Sequence, residues 1–141
     1  MNWLAQLVLS LMSSLKRKFV VLVIDDDPKI RELVQVFFSL KGDEVTCITA
    51  ADVQQAGLKL SNQDFDLLIM DNLMPGKSGV DYALYLRRSI KYSRIPIILM
   101  SGALAQEDVF KAIEAGVKDI LVKPFTLKQL GEKIAPYIKK M

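Results

Sequence analysis

Three adjacent aspartates, Asp25, Asp26 and Asp27, follow the apolar run "VVLVI" directly and lead into Pro28. Two carboxylates about 4 Å apart repel by roughly 4 kcal/mol at an effective dielectric of about 20. Such a cluster beside a buried strand needs a cation, or one side chain must turn away. Farther along, Asp71 follows "FDLLIM", Ser101 follows "IPIILM" and Lys123 follows "DILV". Brought together, these carboxylates, one hydroxyl and one ammonium make a hard-oxygen site suited to Mg²⁺, with the lysine free to neutralise a phosphoryl oxygen. The chain contains no histidine, which removes imidazole bases, imidazole metal ligands and phosphohistidine from its own chemistry.

The elements that must position these residues are legible as alternating patterns. Short apolar runs, "FVVLVI", "EVTCIT", "FDLLIM", "IPIILM" and "KDILV", predict strands, and amphipathic spacing predicts helices near 28–41, 51–60, 79–91, 105–115 and 126–139. Apolar strands separated by helices imply a parallel sheet covered on both faces, because each strand buries both sides. The fold class is therefore α/β, a doubly wound (βα)5 domain, in which ligands bind beyond the carboxyl ends of the strands. Pro28 at a first helical position marks Asp27 as its N-cap, a structural role, and leaves Asp25 and Asp26 for a metal.

At 141 residues, 51% hydrophobic and 25% charged, the chain suits one globular domain. Its net charge of +3 is scattered rather than gathered into a stripe, so no nucleic-acid partner is expected. The single Cys47 cannot form an internal disulfide and reads as a reduced core thiol, in keeping with the cytoplasm.

The segments "VLVIDDDPKIREL", "LLIMDNLMPGKSG", "IPIILMSG" and "DILVKPF" resemble, in order and spacing, a response-regulator receiver domain of the CheY-like kind, over residues 19–140. The resemblance implies a five-stranded flavodoxin-like sheet and a phospho-acceptor at Asp71. It implies Mg²⁺, with Mn²⁺ as a substitute, held by Asp26 and Asp71 directly, by Asp25 through water and by the Leu73 backbone carbonyl. Ser101, Gly102 and Lys123 would meet the phosphoryl group and form the switch, and the bond before Pro124 would be cis. The implied donor is a sensor histidine kinase or histidine phosphotransfer protein, and the implied output is a downstream protein. That protein would meet the fourth and fifth domain helices and the fifth strand, around Val109, Lys111, Lys118 and Lys128. A receiver of this kind is not an enzyme beyond its own phosphorylation and dephosphorylation.

Three positions depart from the family pattern. Ile120 stands where an aromatic switch residue is common. Leu73 and Ala103 stand where side chains often help position the hydrolytic water, so slow self-dephosphorylation is expected. The sequence runs out after one C-terminal helix with no output domain, which points to signalling by protein contact or phosphotransfer.

Rival motifs are weaker. "PGKSG" lacks the glycine that a phosphate-binding P-loop needs five residues before Gly76, where Asp71 stands. Asp25 and Asp27 match the Asp-x-Asp of haloacid-dehalogenase-like phosphohydrolases, but only Glu132 follows the lysine as a further acid. A receiver-like docking module that is never phosphorylated is the third reading.

Residues 1–18 form an extension outside the receiver at 19–141. Leu4, Leu7, Val8, Leu11 and Leu15 recur at helical spacing, with Leu4, Val8, Leu11 and Leu15 as a two-heptad seam. The roughly 15 residues before the basic cluster reach about 22 Å, short of the roughly 30 Å hydrocarbon core. Lys16, Arg17 and Lys18 follow the apolar run, whereas a secretory signal carries its charge before it. Three readings are open for residues 1–15: a packing or homodimer-forming helix, a peripheral membrane helix with Trp3 and the basic cluster at the interface, or a true start at Met12.

Overall fold

The structure is a computed structural model that describes residues 2–14 and 17–138. Five parallel strands form one sheet: β1 (Phe19–Ile24), β2 (Val45–Ala50), β3 (Leu67–Asp71), β4 (Ile97–Ser101) and β5 (Asp119–Val122). Their order is β2-β1-β3-β4-β5, which reverses direction between β1 and β3. The helices are α1 (Trp3–Ser14), α2 (Pro28–Ser39), α3 (Val53–Asn62), α4 (Gly79–Arg87), α5 (Gln106–Glu114) and α6 (Leu127–Ile138).

Alternate strand residues serve two cores. Leu22, Ile24, Leu68, Met70 and Leu99 face one side, against Leu60 of α3, Val80 and Leu86 of α4 and Ala112 of α5. Val21, Val23, Ile69, Ile98 and Met100 face the other, against Phe37 and Phe38 of α2 and Leu130 and Ile134 of α6. This two-sided burial is why the strands read as unbroken apolar runs. Cys47 is a free, half-buried thiol, and burial pushes its pKa up to about 12, so it stays protonated and unreactive.

Element edges differ from the periodicity in explicable ways. β4 begins at Ile97 because Pro96 has no N–H for the ladder, although its carbonyl accepts Leu68 N–H at 2.9 Å. β3 begins at Leu67, and Asp66 just before it is tied to β1: its N–H donates to the Val20 carbonyl at 2.8 Å, and its carboxylate accepts Val20 N–H at 2.8 Å and pairs with Arg17 at 2.6 Å. α4 stops at Arg87, four residues short of expectation, where Arg88 and Ser89 N–H turn back to the Tyr85 and Leu86 carbonyls. The apolar residues of α1 belong to neither core among the described residues, and Leu4, Leu7 and Val8 are 53%, 47% and 46% exposed. Leu15, the last residue of the expected seam, lies outside the described residues. No helix among the described residues is long and apolar enough to cross a membrane.

Side chains close most of the helix starts, α5 being an exception. Lys29 N–H donates to Asp27 Oδ1 at 2.9 Å at the head of α2, and Asp52, Ser78 and Thr126 cap α3, α4 and α6. Replacing a capping aspartate removes that acceptor. Asp27→Ala should lower unfolding stability by about 1 kcal/mol in urea titrations, while leaving the Mg²⁺ dependence of any phosphorylation intact.

Candidate functional site

The register carries the chemistry to one rim. Ile24 pairs with Met70, Met70 with Leu99, and Ser101 with Val122, so the residues ending β1, β3, β4 and β5 emerge side by side. Asp25 is fully buried, and both of its carboxylate oxygens are occupied. Oδ1 accepts Asp27 N–H at 2.9 Å, and Oδ2 accepts Lys123 Nζ at 2.7 Å. The same Nζ lies 3.3 Å from Asp71 Oδ1, and Lys123 N–H donates to the Ser101 carbonyl at 2.9 Å. The Lys123–Pro124 peptide bond is cis.

Asp26 is exposed, and Asp25, Asp26 and Asp71 offer carboxylate oxygens that all lie within 4.8 Å of one another. Burial, and then the charge of Asp25, hold the Asp71 carboxyl above its ordinary pKa, with Lys123 pulling it back. Burial pulls Lys123 down, but the hydrogen bond and charge of Asp25 and the charge of Asp71 outweigh it, so its ammonium is held above the ordinary value. An all-oxygen donor set with an unmet demand for positive charge fits a hard divalent cation.

Around this centre, Ser101 is buried at the end of β4, and Gly102 leaves open space beside it. Leu73 is exposed, and its N–H donates to Asp71 Oδ1 at 3.3 Å. Ile120 sits on β5 opposite Leu99, partly buried against the core. An open cavity of about 720 Å³ beside Asp26 is lined by Asp52, Gly76, Lys77 and Tyr85 among others. Because Asp25 is sealed and doubly bonded, it cannot serve as the exposed nucleophile that the dehalogenase-like reading assigned to it.

Sequence reading missed Asn72, Gly79, Asp108 and Arg31. Buried Asn72 accepts Val80 N–H through Oδ1 at 3.0 Å and Gly79 N–H through its carbonyl at 3.0 Å, and it donates from Nδ2 to Asp108 at 3.1 Å. Arg31 donates to the Asp25 carbonyl at 2.7 Å. At Gly79 a Cβ would lie 2.4 Å from the Asp71 carbonyl oxygen. Only the glycine after Ser78 could have hinted at this close approach.

A family profile described as response regulator receiver domain matches residues 21–135. The chain belongs to that family. The receiver is 29% identical over 120 residues to the phosphate regulon transcriptional regulatory protein PhoB of Pseudomonas aeruginosa, covering 85% of this chain and 52% of that protein. It is 31% identical over 120 residues to the uncharacterised transcriptional regulatory protein YrkP of Bacillus subtilis, covering 85% and 49%. It thus spans about half the length of the curated relatives it matches. Among solved structures it is similar to chemotaxis protein CheY4 of Vibrio cholerae, with a TM-score of 0.76, 29% identity and coverage of 86% of this chain and 99% of that one. A response regulator receiver protein from Pseudomonas putida gives a TM-score of 0.76 at 28% identity, covering 90% and 100%. The fold expected from the apolar runs is the fold of this family.

Gly79 and Gly57 make an opposed pair. Gly79→Ala drives a Cβ into backbone that cannot yield, and should destabilise the receiver by about 1–3 kcal/mol. Gly57, inside α3 with its nearest atom at 4.0 Å, should gain up to about 1 kcal/mol on replacement by alanine. Thermal unfolding of the two variants checks the opposite signs.

Proposed function

We propose that the receiver accepts a phosphoryl group on Asp71 from a phosphohistidine of a sensor histidine kinase or histidine phosphotransfer protein. The observation that supports this most is the single ammonium of Lys123 bridging a sealed Asp25 and the less enclosed Asp71. An Asp71 oxygen forms the new P–O bond as the P–N bond of the donor breaks, and the departing imidazole takes up a proton. Asp26, Asp71 and the Leu73 carbonyl would hold Mg²⁺ or Mn²⁺ directly, and Asp25 would hold it through a bound water. A bound divalent ion would supply charge neutralisation between the acceptor carboxylate and the incoming phosphoryl oxygens.

Lys123 then has a second anionic partner to exchange for Asp25, and the Ser101 hydroxyl donates to a phosphoryl oxygen. These movements form the switch, with Gly102 leaving the approach open. Ile120, lacking an aromatic ring, gives a switch without a swinging ring. The receiver unit is residues 19–141, with residues 1–18 as an extension, and a reducing cytoplasm suits it. Its output goes to a protein target through α5, β5 and α6. Around Val109, Lys111, Lys118 and Lys128 on that face, Phe110 and Ile113 are 63% and 67% exposed. Its own phosphorylation and slow dephosphorylation are its only chemistry.

Acetyl phosphate with Mg²⁺ should yield one base-labile phosphoryl adduct, absent in Asp71→Asn and lost with chelator. An adduct on Asp25, rapid turnover of phosphate monoesters or no adduct at all would overturn the assignment.

The lifetime of that adduct is a separate expectation. Leu73 and Ala103 cannot hydrogen-bond a water through their side chains, and water orientation is worth orders of magnitude in rate. Decay followed by mass spectrometry should take minutes to hours, and a half-life of seconds would contradict this.

A further inference from the structure

The helix α1 is formed, and its apolar side chains lie outside both cores among the described residues. Asn2 caps it, accepting Ala5 N–H at 2.8 Å, and the helix contains no charged residue. At about 100° per residue, Leu4, Leu7, Val8, Leu9, Leu11 and Met12 spread over about 200° of its surface. All six are 46% to 61% exposed, and neither core of the receiver includes a residue of α1 among the described residues. A two-helix seam uses a narrow stripe flanked by charges that set register. This stripe is far broader, and no charge borders it.

Beyond α1 the chain leads to a basic surface. Residues 15–18 hold the end of α1 within about 18 Å of the start of β1, at the amino ends of the parallel strands. There an open cavity of about 570 Å³ is lined by Arg17, Lys18, Arg87, Arg94 and Lys118. The two aspartates in the lining are already engaged: Asp66 pairs with Arg17 at 2.6 Å, and Asp119 takes the Tyr137 hydroxyl at 2.6 Å and Lys133 at 3.7 Å. Arg87 donates to the Ala115 and Tyr92 carbonyls. Lys18, Arg94 and Lys118 are exposed, with no carboxylate at salt-bridge distance among the described residues.

We propose that α1 and this basic end of the sheet together dock the receiver on an anionic lipid surface. The broad apolar arc enters the headgroup boundary, and the unpaired cations, joined in sequence by Lys16, meet the lipid charge. In a parallel sheet the amino ends lie opposite the carboxyl rim, so Asp71 faces away from the lipid and stays open to a partner.

Full-length protein should co-sediment with vesicles of phosphatidylcholine mixed with phosphatidylglycerol, and not with phosphatidylcholine alone. The fluorescence of the single tryptophan, Trp3, should shift to the blue on binding. Leu4→Glu combined with Val8→Glu should abolish co-sedimentation, and reversing Lys18 and Arg94 to glutamate should weaken it by about tenfold or more. These positions are exposed, so both variants should still form the acetyl-phosphate adduct, which separates lost docking from lost folding. No binding to the anionic vesicles, or binding untouched by the charge reversal, would overturn the proposal. So would a vesicle-free dimer that Leu4→Glu dissolves, which would give the face to a second copy of the chain.

Discussion

The carboxyl rim depends on one ammonium. Lys123 Nζ is 2.7 Å from Asp25 and 3.3 Å from Asp71, and without it two acids at the ends of adjacent buried strands would face each other uncompensated. Strands spaced about 4.8 Å apart put β5 about 10 Å from β3, so the lysine must leave the end of its strand and reach inward across β4. The Ser101 carbonyl that accepts its N–H at 2.9 Å anchors the start of that reach. Breaking a buried pair by removing one partner costs more than the pair contributes, which makes this ion pair a constraint on the sequence more than a source of stability.

The same constraint explains what could be read from sequence. Three aspartates after an apolar run pose a charge problem, and Pro28 resolves one of them as the cap at Asp27. The lysine after "DILV" supplies the compensating charge. Chain order and strand period were enough to place all of these residues on one rim. Asn72 was not legible, because an asparagine one residue after a strand has the same signature as any turn residue. Its role exists only because α4 and α5 fold back over it. Gly79 was equally silent, since the close approach that forbids a Cβ there is between segments that periodicity treats separately. The early end of α4 and the late start of β4 reflect local competition for backbone hydrogen bonds that patterning ignores. The exposure of α1 was also hidden, since amphipathic spacing records that a face is apolar but not what covers it.

Parallel topology has a further consequence for charge. All five strands point one way, so the carboxyl rim collects Asp25, Asp26 and Asp71 while the amino rim collects Arg17, Lys18, Arg94 and Lys118. A net charge of +3 therefore conceals a domain with an acidic end and a basic end. Net charge alone is a poor guide to what such a surface attracts, and the separation of the two signs along the strands decides it.

The contacts around Asn72 show how the rim is tied to the surface that carries Phe110 and Ile113. Two hydrogen bonds run from Asn72 to the first turn of α4, and one runs to Asp108 in the first turn of α5. A second tie joins the same helices, Lys111 to Asp81 at 3.1 Å, but both of its side chains are partly exposed, and ion pairs of that kind contribute little. Asn72 is buried, so shifting its backbone must break or carry along bonds to both helices. Because Asn72 directly follows Asp71, any rearrangement at Asp71 meets this branch point first. The inner side of α5 is thereby fixed to the site while its outer, apolar side stays free for contact.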